Sequence, residues 1–141
     1  MTSSPTALFH LAFHVSDLDE AARFYVEVLG AQLGRRSDTW VDVTWYGHQL
    51  SMHLGQPMAT TPTGQVDGQA VPMPHFGLVL RLDEWQRLRQ RLEAQALPMV
   101  IAPHVRFVGE PGEQATLFLR DPFGNPIEIK GFADWAGVTA H

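Results

Sequence analysis

The stretch HLAFHVSDLDEAARFYVEVLGA, residues 10–31, has a counterpart in HFGLVLRLDEWQRLRQRLEAQA, residues 75–96. Each opens on a histidine, alternates at the strand period of two, passes a Leu-Asp-Glu step and then takes up helical spacing. His75 follows His10 by 65 positions, and Leu82-Asp83-Glu84 follows Leu18-Asp19-Glu20 by 64, so the stretches align with one single-residue slip. Further on, Gly47-His48-Gln49-Leu50-Ser51-Met52 matches Gly124-Asn125-Pro126-Ile127-Glu128-Ile129. The chain reads as a duplication.

Outward from these stretches, the first helix carries its own punctuation. Ser16 and Asp19 fit a capping box, Asp17 and Glu20 suit the positive N-terminal end, and Gly30 closes it. Leu18, Ala21, Ala22, Tyr25, Val28 and Leu29 share its inward face. The second helix is expected from Asp83, with Trp85, Leu88 and Leu92 toward the core and Arg87, Arg89, Gln90 and Arg91 forming a solvated basic face. Alternating runs at 31–36, 39–46 and 48–54, then at 98–101, 114–120 and 126–130, make each half βαβββ. Asp121-Pro122-Phe123-Gly124-Asn125 is a turn between two strands, and Tyr46-Gly47-His48 is its weaker counterpart. Residues 55–74, rich in Gly, Pro and Thr without a sustained period, read as an irregular linker: a passive connector, or else a lid or dimer arm. Residues 102–113 read as a loop, and a short helix is expected around Phe132 and Trp135. The organisation is one domain over 1–141, with modules at 7–54 and 75–132, the linker between them and a tail at 133–141.

Composition narrows the function. The chain has no cysteine, which excludes disulfides, thiolate metal sites and cysteine nucleophiles. Ten Lys and Arg against fifteen Asp and Glu give a net charge of −5, which argues against nucleic acid or an anionic membrane as partner and leaves a small molecule. The opening Met1 to Thr6 has no basic region followed by a long apolar run, and no apolar run approaches membrane-spanning length, so the cytoplasm is the default expectation. Seven histidines are the compositional oddity, and imidazole suits metal binding or proton transfer near neutral pH.

Strand parity separates an apolar face from a polar one. Phe9, Leu11, Phe13 and Val15 oppose His10, Ala12 and His14; Phe76, Leu78, Leu80 and Leu82 oppose His75, Gly77, Val79 and Arg81. Ile127 and Ile129 oppose Pro126, Glu128 and Lys130. The helices are expected on the apolar faces, leaving the polar faces to line a concave inner surface. His10 and His75 begin equivalent strands, so a pseudo-twofold axis would bring them together, and Glu128, inward on the last strand, completes two imidazoles and a carboxylate. That set leaves open positions on the ion, as Fe(II) oxygen chemistry requires, and also accepts Mn(II), Co(II), Ni(II) or Zn(II). His14 lies roughly 13 Å along the strand from His10, too far to share an ion, and is left a substrate or supporting role. His53 is the spare candidate for a fourth ligand or proton shuttle. His48, His104 and His141 read as surface residues.

FHLAFHVSDLDEAARFYVEVLGA, the His75 segment PHFGLVL and the ending DPFGNPIEIK together resemble the vicinal oxygen chelate superfamily of glyoxalase I, extradiol dioxygenases, fosfomycin-resistance enzymes and bleomycin-binding proteins. The resemblance spans about residues 7–132. It implies an α+β fold in which two paired βαβββ modules form an open eight-stranded cup, with helices on the outer face. It also implies His10, His75 and Glu128 as metal ligands, and a homodimer. VDGQAVPMPHFGLVL and VRFVGEPGEQATLFLRDPFGNPIEIKGF are most similar to a small single-domain group usually described as predicted extradiol dioxygenases. Glyoxalase-type isomerases typically use four protein ligands, whereas Ser51 stands where the first half would supply a carboxylate. The expected function is an Fe(II)-dependent dioxygenase acting on a catechol-like or other vicinally oxygenated small molecule, with His53, Tyr46 or Gln114 handling a proton or positioning oxygen. The alternatives are Lewis-acid isomerase, lyase or epoxide-opening chemistry, and a non-catalytic binding module built on Trp40, Tyr46 and Phe118.

Overall fold

The computed structural model describes residues 6–141, so nearly all of the opening stretch read for an export signal lies outside the described residues. The chain forms two compact units, one ending at Met58 and the other beginning at Ala59. The first unit contains β1 (His10–Val15), α1 (Leu18–Arg23), a π-helical turn (Phe24–Val28), β2 (Gln32–Arg36), β3 (Trp40–Trp45) and β4 (His48–Leu54). Its sheet has the order β1-β4-β3-β2, with β1 parallel to β4 and the other pairs antiparallel.

The second unit begins with a hairpin of β5 (Thr61–Val66) and β6 (Gln69–Met73). It continues through β7 (Phe76–Arg81), α2 (Leu82–Ala94), β8 (Ile101–Arg106), β9 (Gln114–Arg120), β10 (Pro126–Phe132) and a 3₁₀ turn (Trp135–Val138). Its main sheet has the order β7-β10-β9-β8, with β7 parallel to β10. The two units therefore share one βαβββ plan, and the α+β class holds, with eight strands in the two four-stranded sheets and a further pair in the hairpin.

The apolar parity sets the core. Phe13, Val15, Val41, Val43, Leu50 and Met52 are buried in the first unit, and Leu80, Leu117, Leu119, Ile127 and Ile129 in the second. Trp45 caps the first core by donating from its indole nitrogen to the Leu29 carbonyl at 3.2 Å, and Trp85 does the same to Ile129 at 2.9 Å. Buried indoles need such a partner. Trp85, Leu88 and Leu92 are the buried residues of α2, while Arg87 and Arg89 pair with acidic neighbours one turn away in solvent.

Four local expectations are corrected. The cap of α1 is Asp17, whose carboxylate accepts from the Glu20 backbone N–H at 2.9 Å. Two overlapping registers compete there, and the one with glutamate at the third helical position prevails over Ser16. The π-helical turn inserts an extra residue per turn, so Phe24 is buried beside Tyr25, although regular helical spacing did not assign it to the inward face. Residues 55–60 are irregular as expected, but 61–73 are not: Asp67 (φ 48°) and Gly68 (φ 78°) form the two-residue turn of the β5–β6 hairpin. That hairpin is mostly exposed on both faces, which erases the alternation that would reveal it. The segment read as a loop at 102–113 instead begins with β8, which runs to Arg106. Pro103 suggests a break, yet β8 is an edge strand, where a missing donor is tolerated.

Candidate metal centre

In the second unit, His75 lies between β6 and β7, and its ring is held from both ends. Nδ1 is 2.7 Å from the Pro72 carbonyl, and Nε2 is 3.3 Å from Oε1 of Glu128. A carbonyl only accepts, so Nδ1 carries a hydrogen, and in the neutral ring the lone pair of Nε2 faces the carboxylate. Two lone-pair donors at that separation require a positive particle between them, either a proton or a metal ion. The carbonyl comes from the hairpin, so the segment read as a linker orients a candidate ligand.

The other oxygen of Glu128, Oε2, accepts from Arg106 Nη1 at 3.0 Å and from the Thr116 hydroxyl at 2.7 Å. Side-chain exposure is 3% for Arg106 and 7% for Glu128, so this is a buried ion pair. Arg106 Nε and Nη2 are buried and have no partner among the described residues. The Phe118 ring lies beneath the guanidinium, 5.9 Å away, and meets His75 edge-on at 4.9 Å. Gly77 stands opposite Glu128 in the ladder, where a Cβ would lie 1.6 Å from the Glu128 carbonyl oxygen, so only glycine fits. His75, Gly77, Leu78, Val79, Glu128 and Lys130 line a cavity of about 180 Å³.

In the first unit, Nδ1 of His10 is 2.8 Å from Oε1 of Gln49, its neighbour in the ladder. The Gln49 amide donates at 3.4 Å to Oδ2 of the buried Asp42, whose Oδ1 accepts from the Ser51 hydroxyl at 2.6 Å. His10 Nε2 has no hydrogen bond among the described residues. Both histidines thus have Nδ1 engaged and Nε2 directed elsewhere. His14 and His53 are ladder partners, and with Ala12 and Phe13 they line a cavity of about 200 Å³.

The remaining candidates are more dispersed. Tyr46 is the first residue of the β3–β4 turn, with φ 50° and a T-shaped contact to Trp45. Gln114 begins β9 and donates from its amide to the Gly112 carbonyl at 3.1 Å. His48 accepts from the Phe9 backbone N–H. His104, expected in a loop, lies on β8 with Nδ1 2.9 Å from the Ala102 carbonyl.

A family model described as the glyoxalase/bleomycin resistance protein/dioxygenase superfamily matches residues 7–129. The chain belongs to this superfamily. A crystal structure of a superfamily protein from Alicyclobacillus acidocaldarius is 31% identical, with 97% of this chain and 99% of that one covered at a TM-score of 0.79. Two others share the fold: lactoylglutathione lyase from Agrobacterium tumefaciens (21% identity, 94% and 98% covered, TM-score 0.64) and a fosfomycin resistance protein from Listeria monocytogenes (15%, 96% and 100%, 0.66). No curated protein matches the chain.

Members of the superfamily typically bind a divalent metal. Within neither unit do three or more His, Asp or Glu side chains of the described residues form a ready cage. The donor chemistry nevertheless fits such a cation. The second unit offers an imidazole nitrogen and a carboxylate oxygen at the separation of co-ligands, and the first offers an imidazole with its second nitrogen tied to an acceptor, the outer support metal-binding histidines ordinarily have. Sequence reading missed Arg106, Thr116, Asp42 and Gln49. Asp42 lies on a strand that alternation had assigned, whereas Arg106 lay in the segment read as a loop.

Proposed function

We propose that the chain is a metal-dependent dioxygenase of extradiol type, acting on a catechol-like or other vicinally oxygenated small molecule, with His10, His75 and Glu128 as ligands. The observation that carries this reading is the opposed His75 Nε2 and Glu128 Oε1, with His75 Nδ1 committed to a carbonyl. The first unit supports a three-donor rather than a four-donor set: Ser51 replaces a carboxylate, and both oxygens of Asp42 are engaged by Ser51 and Gln49. When bound, Fe(II) supplies Lewis acidity toward the substrate oxygens and electrons toward O2 at its open positions. Arg106 and Thr116 hold Oε2, so Oε1 is the oxygen that would ligate the metal. Arg106 also offsets the carboxylate charge, so the loaded site keeps a positive excess that favours an anionic chelate. Leu78 and Val79 supply apolar lining beside these donors. Among the proton-handling candidates, His53 is favoured because it lines a cavity, unlike Tyr46 in its turn or the amide-bound Gln114.

The second reading is Lewis-acid isomerase or lyase chemistry, which would require the Asp42 carboxylate, next to the position of Ser51, to give up its bond to Gln49 or Ser51 and serve as a fourth donor. Anaerobic loading with Fe(II), followed by oxygen uptake on a panel of catechols, tests the choice. Oxygen consumption tied to ring-cleavage absorbance is expected. Turnover without oxygen on Ni(II) or Zn(II) transfers the assignment to the second reading, and absence of both metal binding and turnover overturns both.

A further inference from the structure

The first unit contains a directed hydrogen-bond chain that the proposed ligand set does not use. Asp42 is a carboxylate and can only accept. The side chain facing its Oδ2 must therefore donate, which commits the Gln49 amide nitrogen to Asp42 and turns the Gln49 carbonyl oxygen toward His10. That oxygen also only accepts, so His10 Nδ1 bears the hydrogen, and in the neutral ring Nε2 is bare. Ser51 donates to the other Asp42 oxygen at 2.6 Å and holds the carboxylate in place at the root of the chain.

The ladder shows what this chain replaces. Ser51 pairs with Asp42 as Glu128 pairs with Phe118, and Ala12 pairs with Ser51 as Gly77 pairs with Glu128. The first unit thus has its buried carboxylate one strand over, at the position of Phe118. In the second unit the carboxylate faces its histidine directly; in the first it reaches its histidine only through an amide. We propose that Asp42, acting through Gln49, is a positioning residue that locks His10 in the Nδ1–H tautomer and so presents Nε2 as a metal ligand. This inference rests on the assignment of His10 as a ligand.

The test uses the full chain, labelled with ¹⁵N and free of metal, in which long-range proton–nitrogen correlation reads the tautomer of each histidine and His10→Asn identifies the His10 signals. A protonated Nδ1 and bare Nε2 are expected, the form that a free imidazole disfavours. Gln49→Met removes the middle of the chain without disturbing the Asp42–Ser51 bond, and should return His10 toward the Nε2–H form. Asp42→Asn should release the direction of the Gln49 amide and give a mixture. In a second arm, Zn(II) affinity measured by chelator competition should fall roughly 10- to 100-fold in both variants, the usual cost of losing outer support. A wild-type tautomer and affinity in Gln49→Met overturn the proposal, and the same result in Asp42→Asn overturns the role of Asp42. Wild-type protein that binds no Zn(II) while showing the expected tautomer defeats the metal assignment and leaves the relay standing.

Discussion

Nε2 of His75 lies 3.3 Å from Oε1 of Glu128, and the opposite ring nitrogen is tied to the Pro72 carbonyl at 2.7 Å. The geometry places an acceptor-fixed imidazole against a carboxylate whose second oxygen is already saturated by Arg106 and Thr116. One oxygen and one nitrogen are left for a shared cation.

His75→Ala and His10→Ala should each lower divalent-metal affinity by at least about a hundredfold, since loss of a ligand exceeds loss of its outer support. Metal content per chain after dialysis, measured by elemental analysis, checks this. Near-wild-type content in either variant removes that residue from the ligand set.

Arg106→Met should destabilise the fold by about 3–5 kcal/mol, because it breaks a buried ion pair by removing one partner. With the two side chains 3% and 7% exposed, solvent screens little of this effect. The urea midpoint reads the loss. The pair variant Arg106→Met with Glu128→Leu should recover much of the stability while binding no metal.

Gly77→Ala should cost at least about 2 kcal/mol by forcing β7 and β10 apart, as strain at a backbone contact does. The added methyl would fall 1.6 Å from the Glu128 carbonyl oxygen, so metal affinity should decline with thermal stability. An unchanged melting temperature would overturn this close approach of β7 to β10.

Asp17→Ala should destabilise by about 1 kcal/mol, the usual cost of an N-cap. Ser16→Ala should be nearly silent, because the cap bond to the Glu20 N–H comes from Asp17. Paired thermal melts separate the two registers.

Much of the architecture was readable from residue order. Alternation in HLAFHV and FGLVLR, helical spacing after each Leu-Asp-Glu step and the repeat at 64 to 65 positions specify two βαβββ units, because burying one face of each element is a local requirement that leaves a periodic trace. The sites of His75 and Glu128 followed from the same parity. The hairpin at Thr61–Met73 and the strand ending at Arg106 left no such trace, one because both its faces are largely solvated and the other because an edge strand accommodates proline.

Sequence by itself determined the duplicated fold, the faces of its strands and which residue types stand at their polar positions, since these follow from periodicity and side-chain polarity along neighbouring residues. Only tertiary structure decided that Arg106 lies against Glu128, that Pro72 holds His75 and that Asp42 reaches His10 through Gln49. The first and last of these pairings join residues 22 and up to 39 positions apart through strand register, and the Pro72 carbonyl, only 3 positions from His75, is set by a hairpin whose solvated faces leave no periodic trace.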